Sequence, residues 1–139
     1  MACDVIAHGG LDVARFGDAR KALRERFGQY ESFRRTPEAS PTDRFPQLGL
    51  FLDFDGSDSL NLIEVSPPAE VLYEGISLLG RNYSEVVSEL SVRGIQGTED
   101  GSGIEYPQVG LALFNPAPEE DDSVVEGVTI FAPGYSGSE

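Results

Sequence analysis

The sequence predicts an α+β fold in which two tandem helix-plus-hairpin repeats form one antiparallel sheet, with the helices packed on one face. Three observations support this prediction. A six-residue motif occurs twice, two stretches have helical spacing of apolar residues, and each is followed by two strand-like runs joined by a turn. A lone hairpin is only marginally stable, so we expect the two repeats to share one sheet and one core.

The repeated motif is an aromatic residue followed by Pro, Gln, an aliphatic residue, Gly and Leu. It occupies residues 45–50 and again residues 106–111, an offset of 61. A period this long that occurs only twice predicts a duplicated single domain over residues 1–139 rather than a solenoid. The predicted repeats cover about residues 1–68 and 69–135, and residues 136–139 are predicted to be a loose tail.

Two helices are predicted, one in each repeat. The first begins at Asp18, a suitable N-cap, and ends at Gly28, and its apolar positions recur at helical spacing. The second runs over residues 83–92 and ends before Gly94, again with one apolar face.

Each predicted helix is followed by a predicted hairpin. The first hairpin pairs residues 48–54 with 60–65, and the second pairs residues 109–114 with 124–131. Residues 34–44 are polar and contain two prolines, so they are predicted to form a loop.

The composition is that of one globular domain. The chain has 139 residues, of which 40% are hydrophobic and 24% charged. Cys3 is the only cysteine, so no intrachain disulfide is possible, and the first residues lack the pattern of a signal peptide. No apolar run is long enough for a membrane span, and we therefore expect a cytoplasmic protein.

The negative charge is large and uneven. The net charge is −14, and residues 45–139 contain seventeen acidic but only two basic groups. Such a surface repels phosphate, which argues against nucleic acid and anionic membranes as partners. It favours fast association with a basic protein. The alternative is that the charge serves only to keep the protein soluble.

The candidate partner-binding residues are acidic and lie in the connections of the two predicted hairpins. They are Asp53, Asp55, Asp58, Glu119, Glu120, Asp121 and Asp122. The alternatives are an ordinary Asp-Gly turn in the first connection and a solvated loop in the second. A calcium loop does not fit the first connection, because the twelve-residue pattern and its flanking helices are incomplete.

No catalytic residue, cofactor or metal site is predicted. With one cysteine and His8 as the only histidine, the chain cannot form a zinc constellation. Cys3 and His8 lack a third group to orient the base, and no glycine-rich phosphate loop or nucleophile elbow occurs.

Most of the arginines lie in the first repeat. Arg15, Arg20, Arg24, Arg26, Arg34 and Arg35 are predicted to balance the acidic second half of the chain, across the sheet or across a dimer interface. Anion binding is the alternative.

The order of these elements resembles that of the tandem-repeat domains in the β-lactamase inhibitory protein-like group. The resemblance includes a helix entered at residues 17–18 and again at residues 80–81, each followed by a loop and a hairpin. Residues 45–50, 64–68 and 71–80 are similar to small bacterial proteins of the immunity type. The secreted inhibitors contain disulfides, which this chain lacks. Both groups imply binding and inhibition of a partner protein, without catalysis.

The sequence therefore favours a non-enzymatic acidic binding protein, of the immunity or inhibitor type, that neutralises a basic partner protein. One alternative is a small-ligand binder or enzyme that uses a cleft between the two repeats. Another is a homodimer that extends the sheet edge to edge.

Overall fold

The computed structural model describes residues 2–117, 120 and 122–133. Within these residues the chain forms thirteen strands and two helices, arranged in two sheets. In chain order they are β1 (Ala2–Ile6), β2 (Gly10–Leu11), β3 (Ala14–Arg15), α1 (Arg20–Phe27), β4 (Glu31–Phe33), β5 (Thr42–Phe45), β6 (Leu50–Phe54), β7 (Leu60–Val65), β8 (Glu70–Tyr73), β9 (Ile76–Ser77), α2 (Tyr83–Val92), β10 (Thr98–Asp100), β11 (Gly103–Tyr106), β12 (Leu111–Phe114) and β13 (Gly127–Phe131).

The predicted fold class is wrong. The protein is mostly β, and a large sheet dominates it, whereas the prediction was an α+β fold of two helix-plus-hairpin repeats. Each helix is followed by four strands of the large sheet rather than by a hairpin, since β4 and β5 precede the first predicted hairpin and β10 and β11 precede the second. These additional strands are short and polar, so their period-two pattern is weak. The repeat boundaries near residue 68 remain a prediction.

The large sheet is antiparallel throughout and has the order β10-β11-β12-β13-β7-β6-β5-β4. Strands β7 and β13 meet at its centre, where Val65 is opposite Val128 and Ile63 is opposite Ile130. The four strands after each helix therefore form a meander, and the two meanders join along this seam.

The smaller sheet has the order β3-β2-β1-β8-β9 and joins segments from before and after residue 68. Strands β1 and β8 are parallel, with Cys3 opposite Val71. Val5 from this sheet and Leu23 from α1 belong to the same buried cluster as Leu52 of the large sheet. The smaller sheet and both helices thus cover the inner face of the large sheet.

The two helices begin differently. Helix α1 has Ala19 as its N-cap, without a side-chain cap, because Asp18 instead accepts a hydrogen bond from the backbone N–H of Arg15 at 2.9 Å. Gly28 ends α1 as predicted. Helix α2 has the predicted bounds, and the Asn82 side chain accepts from the backbone N–H of Glu85 at 3.0 Å. Neither helix in the described part of the chain has the length and apolar character needed to cross a bilayer.

The two copies of the repeated motif form equivalent turns, between β5 and β6 and between β11 and β12. Gly49 and Gly110 lie in these turns with φ of 70° and 81°. Their carbonyls accept hydrogen bonds from the N–H groups of Ser66 and Phe131, at 2.8 and 2.9 Å. A Cβ atom on Gly49 would lie 2.0 Å from the carbonyl oxygen of Ser66. The motif therefore fixes a turn against the end of a central strand.

We expect Gly49→Ala to lower the free energy of unfolding by about 3 kcal/mol, because it combines a left-handed backbone with a clash against backbone. Gly56→Ala is the matched control, since a Cβ there meets no atom within 4 Å, and it should change stability by less than about 0.5 kcal/mol. Urea denaturation measures both. Equal effects of the two substitutions would contradict this account of the turn.

One buried hydroxyl in the core lacks a hydrogen-bond partner. Tyr106 is 1% exposed, and its hydroxyl oxygen has no partner among the described residues. Phe45 occupies the same position in the first copy of the motif and has no such group. Burial, followed by the nearby Glu99 carboxylate, raises the pKa of Tyr106 to about 12.

We therefore expect Tyr106→Phe to raise the free energy of unfolding by about 1 kcal/mol, because it removes an unpaired buried polar group. Between the ordinary tyrosine pKa of 10.0 and the raised value of about 12, the unfolded chain loses the proton and the folded chain keeps it. Stability from this group therefore falls as the pH rises through that window. The substitution should reduce the alkaline loss, as measured by urea denaturation across pH, whereas Tyr30→Phe at an exposed tyrosine should not. A destabilised Tyr106→Phe variant would contradict the expectation.

Candidate functional site

The three candidate acids of the first connection point to different parts of the molecule. Asp53, on β6, binds the Arg35 guanidinium at 3.2 Å and accepts a hydrogen bond from the Thr42 hydroxyl. Asp55 accepts from two backbone N–H groups of its own turn. Asp58 binds Arg20 at 3.2 Å. Each therefore stabilises the fold, and their role in partner binding remains a prediction.

The second acidic connection is described only in part. Glu120 and Asp122 are exposed, whereas Glu119 and Asp121 lie outside the described residues. Asn115 is fully buried at the base of this connection, where its side chain donates to the Ser123 hydroxyl at 2.8 Å and accepts from the N–H of Ala117 at 3.0 Å. The Asn115 side chain thus anchors the connection where it leaves β12.

Two of the predicted arginines form a buried ion cluster beneath the large sheet. The Asp43 carboxylate, fully buried on β5, receives Arg20 at 3.0 Å and a bidentate pair of bonds from Arg24 at 2.7 and 2.8 Å. This hydrogen bonding raises the pKa of Arg24. The guanidinium of Arg20 also stacks 4.2 Å from the Phe54 ring centroid. The cluster locks α1 to the sheet.

We expect Asp43→Asn to lower the free energy of unfolding by about 4 kcal/mol, because it leaves Arg20 as a buried cation without its main counter-ion. Glu31→Gln breaks the exposed pair with Arg44, 2.9 Å apart, and should cost less than about 1 kcal/mol. Thermal or urea unfolding compares the two. A loss below about 1 kcal/mol for Asp43→Asn would mean that the cluster does not hold the helix.

The outer face of the large sheet has no described element packed over most of it. The strand registers place on it exposed or half-buried side chains from all eight strands, and they include several phenylalanines. Phe33 is 39% and Phe114 46% exposed, and they are among the few large apolar side chains this exposed in the described chain. Exposed aromatic rings on a flat face are typical of an interaction surface.

Arg35 crosses the first half of this face. It lies in the segment of residues 34–41, between β4 and β5, and its guanidinium binds Asp53 on β6 and Glu64 on β7. It also lies 5.8 Å from the ring centroid of Phe33. The chain therefore binds one of its own arginines on its outer face, between two carboxylates and beside an aromatic ring.

The second half of the outer face has no such cover. Only residues 101–102 join β10 to β11, so no arginine folds back from there. Among the described residues, the carboxylates of Glu105 and Glu126 form no ion pair. The two arginines that follow residue 68 lie at the ends of α2, where Arg81 binds Glu89 and Arg93 binds Glu74. This half of the face is therefore acidic and open.

A shallow depression of about 310 Å³ lies on the outer face along the seam between β7 and β13. Phe51, Glu64, Phe114 and Glu126 are among the residues that line it. We call it the seam pocket. It combines two aromatic rings with two carboxylates, which suits a cation.

The two side chains considered for nucleophilic chemistry are not brought together as a pair. Cys3 is 1% exposed, and burial raises the pKa of its thiol to about 11, which keeps it protonated. His8 lies at a turn, where its Nε2 is 2.6 Å from the carbonyl oxygen of Gln108. Within the described chain, no group of three His, Cys, Asp or Glu side chains is arranged to hold a metal ion.

No protein-family model, curated protein or solved structure matches this chain. The resemblance to inhibitory and immunity-type proteins remains a prediction. Function is therefore inferred from the charges and geometry of the chain itself.

Sequence reasoning missed the outer face. A signal was present, because Phe51 and Asp53 alternate with buried leucines on β6, as Ala112 and Phe114 do on β12. Without the strand register, however, the sequence does not show that Phe51 and Phe114 border one depression across two intervening strands.

Proposed function

We propose that this chain is a non-enzymatic binding protein that neutralises a basic partner protein, of the immunity or inhibitor type, through the outer face of its large sheet. The observation that carries the proposal is the exposed Phe114, which lies on an acidic half-face whose carboxylates have no described arginine partner. The proposed contact surface thus includes the outer face of the large sheet as well as the acidic hairpin connections that the sequence predicted.

Charge supplies the attraction in this proposal. The net charge of −14 arises almost entirely from residues 45–139, which include the second half of the outer face. A potential of this sign accelerates the approach of a basic protein and loses strength as salt rises. It also opposes binding of other acidic proteins.

Aromatic side chains supply the short-range contact. Binding energy at protein interfaces is concentrated in a few residues, among which aromatic rings are frequent, surrounded by polar groups. Phe114 has this setting, because Glu105 on β11 and Glu126 before β13 lie on either side of it. The rigid antiparallel sheet holds these groups in place before the partner arrives, which limits the entropy lost on binding.

A small-ligand binder is the second candidate, favoured by the position of the seam pocket where the two meanders meet. Its volume of about 310 Å³ is at the small end of the ~300–1,000 Å³ range of ligand sites. The inner side of the same seam is filled, since Ile63, Val65, Val128 and Ile130 are all buried there. A ligand would therefore lie on the outer face, at the same surface as a partner protein.

The test uses the chain as bait in a lysate of its source organism, together with two variants. Phe114→Ser removes an exposed ring from the outer face, and Val92→Ser removes one apolar side chain, 84% exposed, from α2. We expect wild type and Val92→Ser to retain the same basic protein, identified by mass spectrometry, and Phe114→Ser to lose it by roughly tenfold or more. Binding should weaken as salt rises.

Equal capture by Phe114→Ser, or capture that salt does not affect, would overturn the proposal. Light scattering of the free chain detects the homodimer alternative. A dimer dissociated by Phe114→Ser, with no other protein retained, would assign the outer face to self-association instead.

A further inference from the structure

We infer that the seam pocket binds an arginine side chain presented by the partner. This inference rests on the proposed function of the outer face and names the group that the face recognises. The occupant is an arginine-bearing segment of a basic protein, and the guanidinium enters between Glu64 and Glu126.

The chain itself shows how this face holds a guanidinium. Arg35 reaches from its connecting segment to carboxylates on two neighbouring strands, Asp53 and Glu64, with Phe33 at its side. A guanidinium is planar, donates several hydrogen bonds at once and stacks on aromatic rings, and the lysine ammonium group does not have this combination. A site with carboxylates on separate strands and an aromatic ring therefore favours arginine over lysine.

The seam pocket offers the same chemistry next to this internal site. Arg35 binds Oε1 of Glu64, and among the described residues Oε2 of Glu64 and the carboxylate of Glu126 accept no side-chain hydrogen bond. Arg44 lies 5.7 Å from the Phe51 ring but is paired with Glu31. Of the two carboxylates that border the pocket, Glu64 is already shared with Arg35, whereas Glu126 forms no ion pair among the described residues.

The difference between the two meanders explains why this place is open. Eight residues, 34–41, separate β4 from β5 and provide Arg35, whereas two residues separate β10 from β11. The shorter turn cannot reach across β11 and β12 to the seam. Arg35 thus reaches Glu64 from the first meander, whereas the turn between β10 and β11 contains no arginine that could reach Glu126.

The experiment titrates the isotopically labelled full chain with N-acetyl-arginine amide and follows its backbone amides by NMR. We expect shifts at the amides of residues 64–66, 114 and 126–129, which border the pocket. The lysine analogue should bind more weakly, and the uncharged citrulline analogue should give no shifts. Glu126→Gln should weaken arginine binding roughly tenfold. Glu70→Gln, a charge-matched change on the exposed side of β8 in the smaller sheet, should leave it unchanged.

A second variant tests the shared carboxylate. Arg35→Ala removes the guanidinium from Asp53 and from Oε1 of Glu64, so it should strengthen binding and extend the shifts to residue 53. Shifts confined to other surfaces, equal shifts with citrulline, or binding unaffected by Glu126→Gln would overturn the inference.

If the lysate partner is lost with Phe114→Ser while the arginine probe causes no shifts at the pocket amides, the inference fails and the proposed function stands. If the probe binds and no basic protein is retained, the proposed function fails, and the pocket is a site for small cationic ligands.

Discussion

The pairing of β7 with β13 is the constraint on which the rest of the structure depends. These central strands join two four-stranded meanders into one sheet of eight. On the inner side their valines and isoleucines are buried beneath the smaller sheet and the helices, so burial of apolar surface fixes the register. A shift by one residue would turn these side chains outward. The same register sets Glu64 opposite Thr129 on the outer side, and both residues line the seam pocket.

Charge is used differently in the two halves of the molecule. In the first half the arginines form ion pairs within the chain. Arg20 and Arg24 bind the buried Asp43, and Arg35 binds Asp53 on the outer face. In the second half the arginines lie at the ends of α2, and Glu105 and Glu126 on the outer face form no ion pair among the described residues. One scaffold therefore contains a closed and an open version of a similar surface, and the open version is the one suited to recognition.

The spacing of apolar residues along the sequence correctly predicted elements in which that spacing is regular, and it missed elements in which the spacing is weak. Helix α2 and strand β7 were found with their bounds, because their apolar residues recur at regular spacing. Most of strand β5 was taken for a loop, because residues 34–44 are polar and contain two prolines, and nothing local shows that two arginines of α1 neutralise Asp43 inside the core. The fold class was predicted wrongly because β4, β5, β10 and β11 were not recognised as strands. With them, each predicted hairpin becomes a four-stranded meander. The outer face needed cross-strand register, which only the three-dimensional arrangement provides.

A sheet of eight strands has two free borders, and fibrils grow when such borders add strands from further molecules. Both borders here are only three residues long, Glu31–Phe33 and Thr98–Asp100. The second border contains two adjacent acidic residues, Glu99 and Asp100, so pairing of two such borders would bring like charges together, and like charges repel. The short edge strands and the acidic residues of β10 thus oppose edge-to-edge polymerisation of the sheet. The negative charge proposed to attract a partner also limits aggregation.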